Sequence, residues 1–159
     1  MKFNARQISI GGLVAAVYFV ITITPGISTI SYGPLQIRLA EALTVLPYVY
    51  PGAIGGLFVG CLLSNMYGPV GMEDVVFGSL LTLLAAYLTF LTRRSGRPIL
   101  APLPPVVINA LGVPVYLHLL FGQPYWAVVV YIAIGESIAC CLLGYPLLYY
   151  LLRRRKGFN

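Results

Sequence analysis

Residues 31–66 read SYGPLQIRLAEALTVLPYVYPGAIGGLFVGCLLSNM, and the way this stretch divides decides how the whole chain is organised. From Leu39 to Met66 it is almost wholly apolar. Pro47 and Pro51 interrupt it and Gly52, Gly55, Gly56 and Gly60 follow, so it reads either as one kinked helix or as two short ones. Charge chooses between them. If residues 39–49 and 51–65 each cross a membrane, four crossings precede Arg93, Arg94 and Arg97, and six precede Arg153, Arg154, Arg155 and Lys156. Both clusters then share a side with Lys2 and Arg6. A single crossing would put the two larger clusters on the opposite side, against the cytoplasmic bias of Lys and Arg. The sequence therefore predicts six crossings. The second of them is short: such a helix rises only about 16 Å against a hydrocarbon core of about 30 Å, so it must lie in a protein-lined cavity or in thinned bilayer.

Composition supplies the membrane. At 59% hydrophobic and 9% charged, the chain has more apolar surface than a soluble globule of 159 residues can cover, and it comes in long uninterrupted runs. The expected class is an all-α integral membrane protein, one transmembrane domain over 1–159 with helices at roughly 6–25, 38–50, 51–66, 73–92, 102–121 and 124–152. The first run follows Lys2 and Arg6 as a signal peptide would. It is long, however, and no small-x-small cleavage pattern comes after it, so it reads as a retained helix. The net charge of +6 resides in short clusters flanking apolar segments, the pattern of cytoplasmic loops, which argues against nucleic acid as a partner. Cys61, Cys140 and Cys141 lie inside apolar runs without metal-type spacing and read as small packing residues.

Against this background the polar residues inside apolar segments stand out. Arg38 and Glu41 are three apart, one turn of a helix, and so share a face on which they can pair or jointly hold a polar molecule. The loop NMYGPVGMED, residues 65–74, carries Asn65, Glu73 and Asp74. One acid suits the start of the next helix, which leaves the other free. Ser79, Thr82, Ala86 and Thr89 make a small, weakly polar stripe that reads as helix packing. The prolines of APLPP fit the first turn of the fifth helix, where no amide hydrogen is needed. His118, alone near the outer end of that helix, reads as an interfacial residue. Tyr125 and Trp126 suit an outer aromatic belt, and Tyr149 and Tyr150 an inner one.

Glu136 falls in the middle of the last crossing, where an ionisable group costs roughly 2.5–3.5 kcal/mol and is by default a functional candidate. Counting about 1.5 Å per residue, it lies about 18 Å from the outer end, and Asn109 about 12 Å from the inner end. In a core of about 30 Å the two meet at one level. On the first helix, Gly11 with Ala15 and Gly12 with Ala16 are spaced so that another helix can approach closely.

Several blocks together resemble a known family. They are YGPLQIRLAEALTVLP (32–47), GCLLSN (60–65), GPVGMEDVVFGS (68–79), LPPVVINA (103–110) and GE (135–136). The chain resembles the QueT family, the substrate-binding S-components of energy-coupling factor (ECF) transporters for queuosine precursors. The resemblance implies a bundle of six helices in the cytoplasmic (inner) membrane with both termini cytoplasmic, in agreement with the charge argument. It also implies a transmembrane coupling subunit and two ATP-binding partner subunits. The chain has no G-x-x-x-x-G-K-[ST] loop, so ATP would be used by the partners, and no cofactor is expected in this chain.

The implied ligand is a 7-deazaguanine such as preQ1, or queuine. Its guanine edge offers two adjacent N–H donors, which a carboxylate accepts in bidentate fashion, and an aminomethyl substituent adds a cation that asks for a second acid. Glu136 with Glu73 or Asp74 would supply the acids, and Asn109 and Asn65 would meet the carbonyl and ring nitrogen. Tyr32 or Trp126 would stack on the ring, and Arg38 and Glu41 complete the candidate set. Gly12 and Ala16 would face the coupling subunit. Two other classes remain in view: a membrane enzyme acting on a small or lipid substrate, for which the sequence offers no paired histidines or nucleophile-elbow pattern, and a channel or structural membrane protein, which leaves Glu136 and Arg38 unexplained.

Overall fold

The computed structural model describes residues 4–31, 38–69 and 71–156, and among these helix is the only regular structure. Helix α1, Ala5–Ile23, opens on Asn4, whose side chain accepts from the amide of Gln7. It stops short of Pro25 and Gly26, the latter at φ 86°, and is followed by the short α2, Ile27–Ser31. The stretch that decides the organisation is divided as expected. Leu39–Tyr48 forms a 3-10 helix that contains Pro47, and Ala53–Tyr67 forms α3. A π-helical turn, Asp74–Gly78, leads into α4, Ser79–Thr92. After two 3-10 turns, α5 runs Leu103–Phe121, with proline in its first turn, and ends at Gly122. Helix α6, Tyr125–Ser137, continues through a π segment, Ile138–Gly144, into α7, Tyr145–Lys156.

Among the described residues, four stretches are long and apolar enough to cross a membrane: Ala5–Ile23, Asp74–Ser95, Pro98–Phe121 and Tyr125–Arg155. The two shorter apolar helices are Leu39–Tyr48 and Ala53–Tyr67. Winding Leu39–Tyr48 as a 3-10 helix rather than an α-helix lengthens it by about 5 Å, to about 20 Å, still short of the hydrocarbon thickness of about 30 Å. The distribution of side chains is that of a protein in lipid. Ile8, Leu13, Leu80, Leu84, Val115, Val130 and Ile134 face outward, while Thr22, Glu41, Asn65, Thr82, Asn109 and Glu136 are buried.

Small residues bring α1 against α3. A Cβ at Gly56 would come within 2.3 Å of the Gly11 carbonyl oxygen, and one at Gly60 within 2.9 Å of that of Ala15. The Gly52 amide donates to Gln7 Oε1 at 2.7 Å across the same seam. The two small-residue stripes of α1 therefore differ: Gly11 and Ala15 pack internally, while Gly12 and Ala16 are exposed and a Cβ at Gly12 would touch nothing.

The basic clusters gather at one end. Gln7, next to Arg6, meets Gly52, just beyond the 3-10 helix. Tyr48, Gly96, Pro98, Tyr149, Leu152 and Arg153 line a common depression, and Ala101 packs with Tyr48 and Leu148. At the opposite end Ser28, Thr29, Tyr67 and Pro69 line another.

Candidate functional site

The deciding stretch begins at Arg38, the residue before the 3-10 helix, and Arg38 ties three elements together. Its Nη1 donates to Asn65 Oδ1 at 3.0 Å, in the last turns of α3, and its Nη2 forms an ion pair with Asp74 Oδ2 at 2.8 Å. Asn65 Nδ2 donates onward to the Asp74 carbonyl at 2.8 Å, and the Tyr116 hydroxyl of α5 donates to Asp74 Oδ1 at 2.5 Å. Both oxygens of Asp74 are thus engaged. The sequence left open whether Arg38 pairs with Glu41 and which of Glu73 and Asp74 is free; the structure joins Arg38 to Asp74.

Three residues on, in the first turn of the 3-10 helix, stands Glu41. Its Oε1 accepts from the Tyr18 hydroxyl of α1, and its Oε2, fully buried, has no hydrogen-bond partner among the described residues. The Glu41 backbone carbonyl accepts from Thr44 Oγ1 at 2.6 Å and faces Cys140 Sγ at 3.4 Å. Across from it, Glu136 Oε1 accepts from Asn109 Nδ2 at 2.8 Å, so the equal depth counted from sequence is realised as a direct bond. Among the described residues Glu136 Oε2 has only a weak thiol donor, Cys140 Sγ, at 3.4 Å. Glu136 sits two residues before the π segment of the last helix, a departure from α geometry that recurs at functional sites.

These groups converge. Arg38, Glu41, Gly78, Thr82, Asn109, Val113, Ile132 and Glu136 line one enclosed cavity of about 10 Å³. That is room for about one water, so a larger ligand must part the helices to enter. Larger depressions exist, such as one of about 390 Å³ bounded by Phe77, Leu80, Leu84, Val115, Tyr116 and Leu119, but its walls are almost wholly apolar, and the Tyr116 hydroxyl is given to Asp74.

The electrostatics are lopsided. Arg38 brings one positive charge to this region, and Glu41, Asp74 and Glu136 bring three carboxylates. Every other Lys or Arg is near the N-terminus, in the Arg93–Arg97 turn or in the run Arg153, Arg154, Arg155 and Lys156.

Not every candidate joins the cavity. Asn65 and Asp74 do not line it but stand behind Arg38 and Gly78. Glu73 is half-buried and Trp126 is 74% exposed, its ring edge-on to Tyr125, and neither lines it. Tyr32 lies outside the described residues. His118 is exposed, with Nδ1 2.6 Å from the Gln123 carbonyl oxygen. The stripe Ser79, Thr82, Ala86 and Thr89 is buried as packing residues would be, yet Thr82 also faces the cavity and pairs with Cys61 at 3.3 Å, which corrects the reading of that stripe as core alone. Sequence reasoning missed Tyr18, Tyr116 and Cys140. For the tyrosines a signal existed: a phenol within a long apolar run needs a hydrogen-bond partner once buried. For Cys140 there was none, since a thiol packs equally well as a small hydrophobe.

Comparison with known proteins adds the following. The family model described as QueT transporter matches residues 8–153. A protein of Lactococcus lactis subsp. cremoris (strain MG1363), named Queuosine precursor transporter QueT, is 40% identical over 72 residues. That match covers 45% of this chain and 42% of the relative, so the chain spans less than half the length of the curated relative it matches. No solved structure matches the chain.

Proposed function

The chain belongs to the QueT transporter family, and from that premise we propose that it is the substrate-binding membrane subunit of an ECF-type importer. Its ligand is a queuosine precursor, a 7-deazaguanine such as preQ1, or queuine, taken from the outer side. The observation that carries this reading is the buried pair Asn109–Glu136 on a closed polar cavity in an otherwise apolar bundle. Glu136 accepts the two adjacent N–H donors of the guanine edge, and Asn109, released from Glu136 by the ligand, turns its amide to the ring carbonyl. Arg38 holds the mouth of the cavity together through Asn65 and Asp74.

In this reading the helices Leu39–Tyr48 and Ala53–Tyr67 also cross, giving six passages in the cytoplasmic membrane with both termini and all basic clusters inside. A single cysteine at Ser95 should then be labelled only from the cytoplasm and one at Val70 only from outside. Labelling of position 95 from outside would sink the topology. Energy comes from a coupling subunit and two ATP-binding subunits, and the exposed stripe Gly12 and Ala16 is the surface offered to the coupling subunit. Leucine at both positions should reduce assembly and uptake while ligand binding by the isolated chain persists.

The deciding experiment is binding by the purified chain to a panel of guanine and 7-deazaguanine analogues. Affinity for 7-deazaguanines above that for guanine supports the proposal. No binding to any member of the panel refutes it.

A further inference from the structure

We propose that Glu41 is the seat of a positively charged substituent on the ligand, so that the site selects 7-deazaguanines carrying an ammonium group over neutral ones. This rests on the reading of the base given above and adds to it a residue and a charge.

The argument is one of charge and of open acceptors. Of the three carboxylates around the cavity, Asp74 is matched by Arg38 at 2.8 Å and by the Tyr116 hydroxyl. Glu136 holds Asn109 through one oxygen and a weak thiol donor through the other. Glu41 is different. It is 1% exposed, it lines the cavity, Tyr18 occupies its Oε1, and its Oε2 meets no donor among the described residues. Burying a carboxylate oxygen without a donor is unfavourable, and a site that keeps one is built for a donor that arrives later. A cationic donor suits it best, because Arg38 is taken by Asp74, residues 32–37, YGPLQI, contain no charge, and the remaining Lys and Arg belong to the end clusters.

Two acids on separate elements suit one bicyclic ligand once the helices have parted to admit it. The 3-10 helix carries Glu41 on one side of the cavity and α6 carries Glu136 on the other, joined through Cys140, whose Sγ lies 3.4 Å from both the Glu41 carbonyl oxygen and Glu136 Oε2. On a 7-deazaguanine the guanine edge and the substituent on the five-membered ring point in different directions. One acid can therefore read the edge while the other holds the substituent, whose ammonium offers up to three donors. Sequence reasoning had sought the second acid in Glu73 or Asp74. Asp74 is already consumed by Arg38, and Glu73 does not line the cavity.

The test is a binding comparison on the purified full-length chain with 7-aminomethyl-7-deazaguanine, 7-cyano-7-deazaguanine and unsubstituted 7-deazaguanine. The native chain should bind the aminomethyl compound roughly 30-fold or more tightly than either neutral compound, the scale of a buried charge-assisted contact. Glu41→Gln should erase most of that preference while binding the neutral compounds within about 3-fold of native. Glu136→Gln should weaken all three alike. Should Glu41→Gln not yield folded protein, Glu41→Asp withdraws the charge by one methylene and should reduce the preference by about 3-fold or more. Equal affinity for the three compounds in the native chain, or a preference that survives substitution at Glu41, overturns the inference and leaves the 7-deazaguanine reading intact. Absence of binding to all three refutes that reading instead.

Discussion

Asp74 and Glu136 are both carboxylates sunk in an apolar bundle, 2% and 5% exposed, and their surroundings could hardly differ more. Around Asp74 the protein has completed the chemistry: a guanidinium on one oxygen, a phenol on the other, and Asn65 on the backbone carbonyl. Around Glu136 and its neighbour Glu41 it has not. Among the described residues one amide, one phenol and one thiol serve these two carboxylates, and Arg38, the cation nearest to them, is bonded to Asp74. A buried acid that is fully answered by its own chain holds the fold, whereas acids left partly unanswered are the candidates for binding something that comes from outside. The first arrangement pins the 3-10 helix to α3, α4 and α5. The second lies in the cavity that those contacts frame.

The largest effect tests the completed side. Asp74→Ala removes the carboxylate of a buried ion pair and leaves the Arg38 guanidinium in an apolar surrounding, which typically costs about 3–5 kcal/mol. The variant should melt well below the native chain in detergent. Adding Arg38→Met should recover part of the loss, because removing both charges is gentler than stranding one. If Asp74→Ala keeps native thermal stability and loses only ligand affinity, Asp74 belongs with the acids of the cavity and the contrast collapses.

Next comes the open side. Glu136→Gln keeps shape but turns an acceptor into a donor that faces the donors of the guanine edge. Affinity should fall by about 30-fold to several thousand-fold, the equivalent of about 2–5 kcal/mol, with thermal stability little changed. An analogue lacking the exocyclic amine sharpens the result: it should bind the native chain poorly and lose little more on the variant, since that contact is already gone. Native affinity for the full base in Glu136→Gln would make this carboxylate structural.

The division between legible and hidden follows from the physics. Hydrophobic runs, prolines and charge clusters are local or end-to-end signals, and they sufficed to divide residues 39–66 at the right point and to bring the basic clusters to one end of the bundle. Depth counting brought Asn109 and Glu136 to one level because an α-helix advances uniformly. Partner choice was another matter. Arg38 has Glu41 one turn away and Asp74 thirty-six positions away, and nothing local tells which carboxylate the guanidinium reaches. The 3-10 winding of Leu39–Tyr48 was equally hidden, since its apolar pattern suits an α-helix as well. So was the separation of the Gly11–Ala15 face from the Gly12–Ala16 face, which rests on where α3 comes to lie.

The smallest expected effect concerns Glu73 and Trp126, which the sequence offered as a counter-charge and a stacking platform. Glu73 is half-buried and outside the cavity lining, and Trp126 stands 74% exposed at the start of α6 with only Tyr125 against its ring. Surface changes of this kind usually stay within about 0.5 kcal/mol, so Glu73→Gln and Trp126→Phe should each alter ligand affinity by less than about 3-fold. The measurement is informative because the cavity, at about 10 Å³, has to open before any base enters, and opening can carry residues from the outer end onto the ligand. A loss of about 10-fold or more in the Trp126 variant, seen with 7-deazaguanines but absent from thermal stability, would mean that the ring folds over the bound base and that the liganded site extends beyond the cavity. An equal loss in the Glu73 variant, confined to aminomethyl compounds, would move the cation from Glu41 to the outer end. With neither loss, the two regions stand as drawn, and the residues that touch the ligand are those already buried around Glu41 and Glu136.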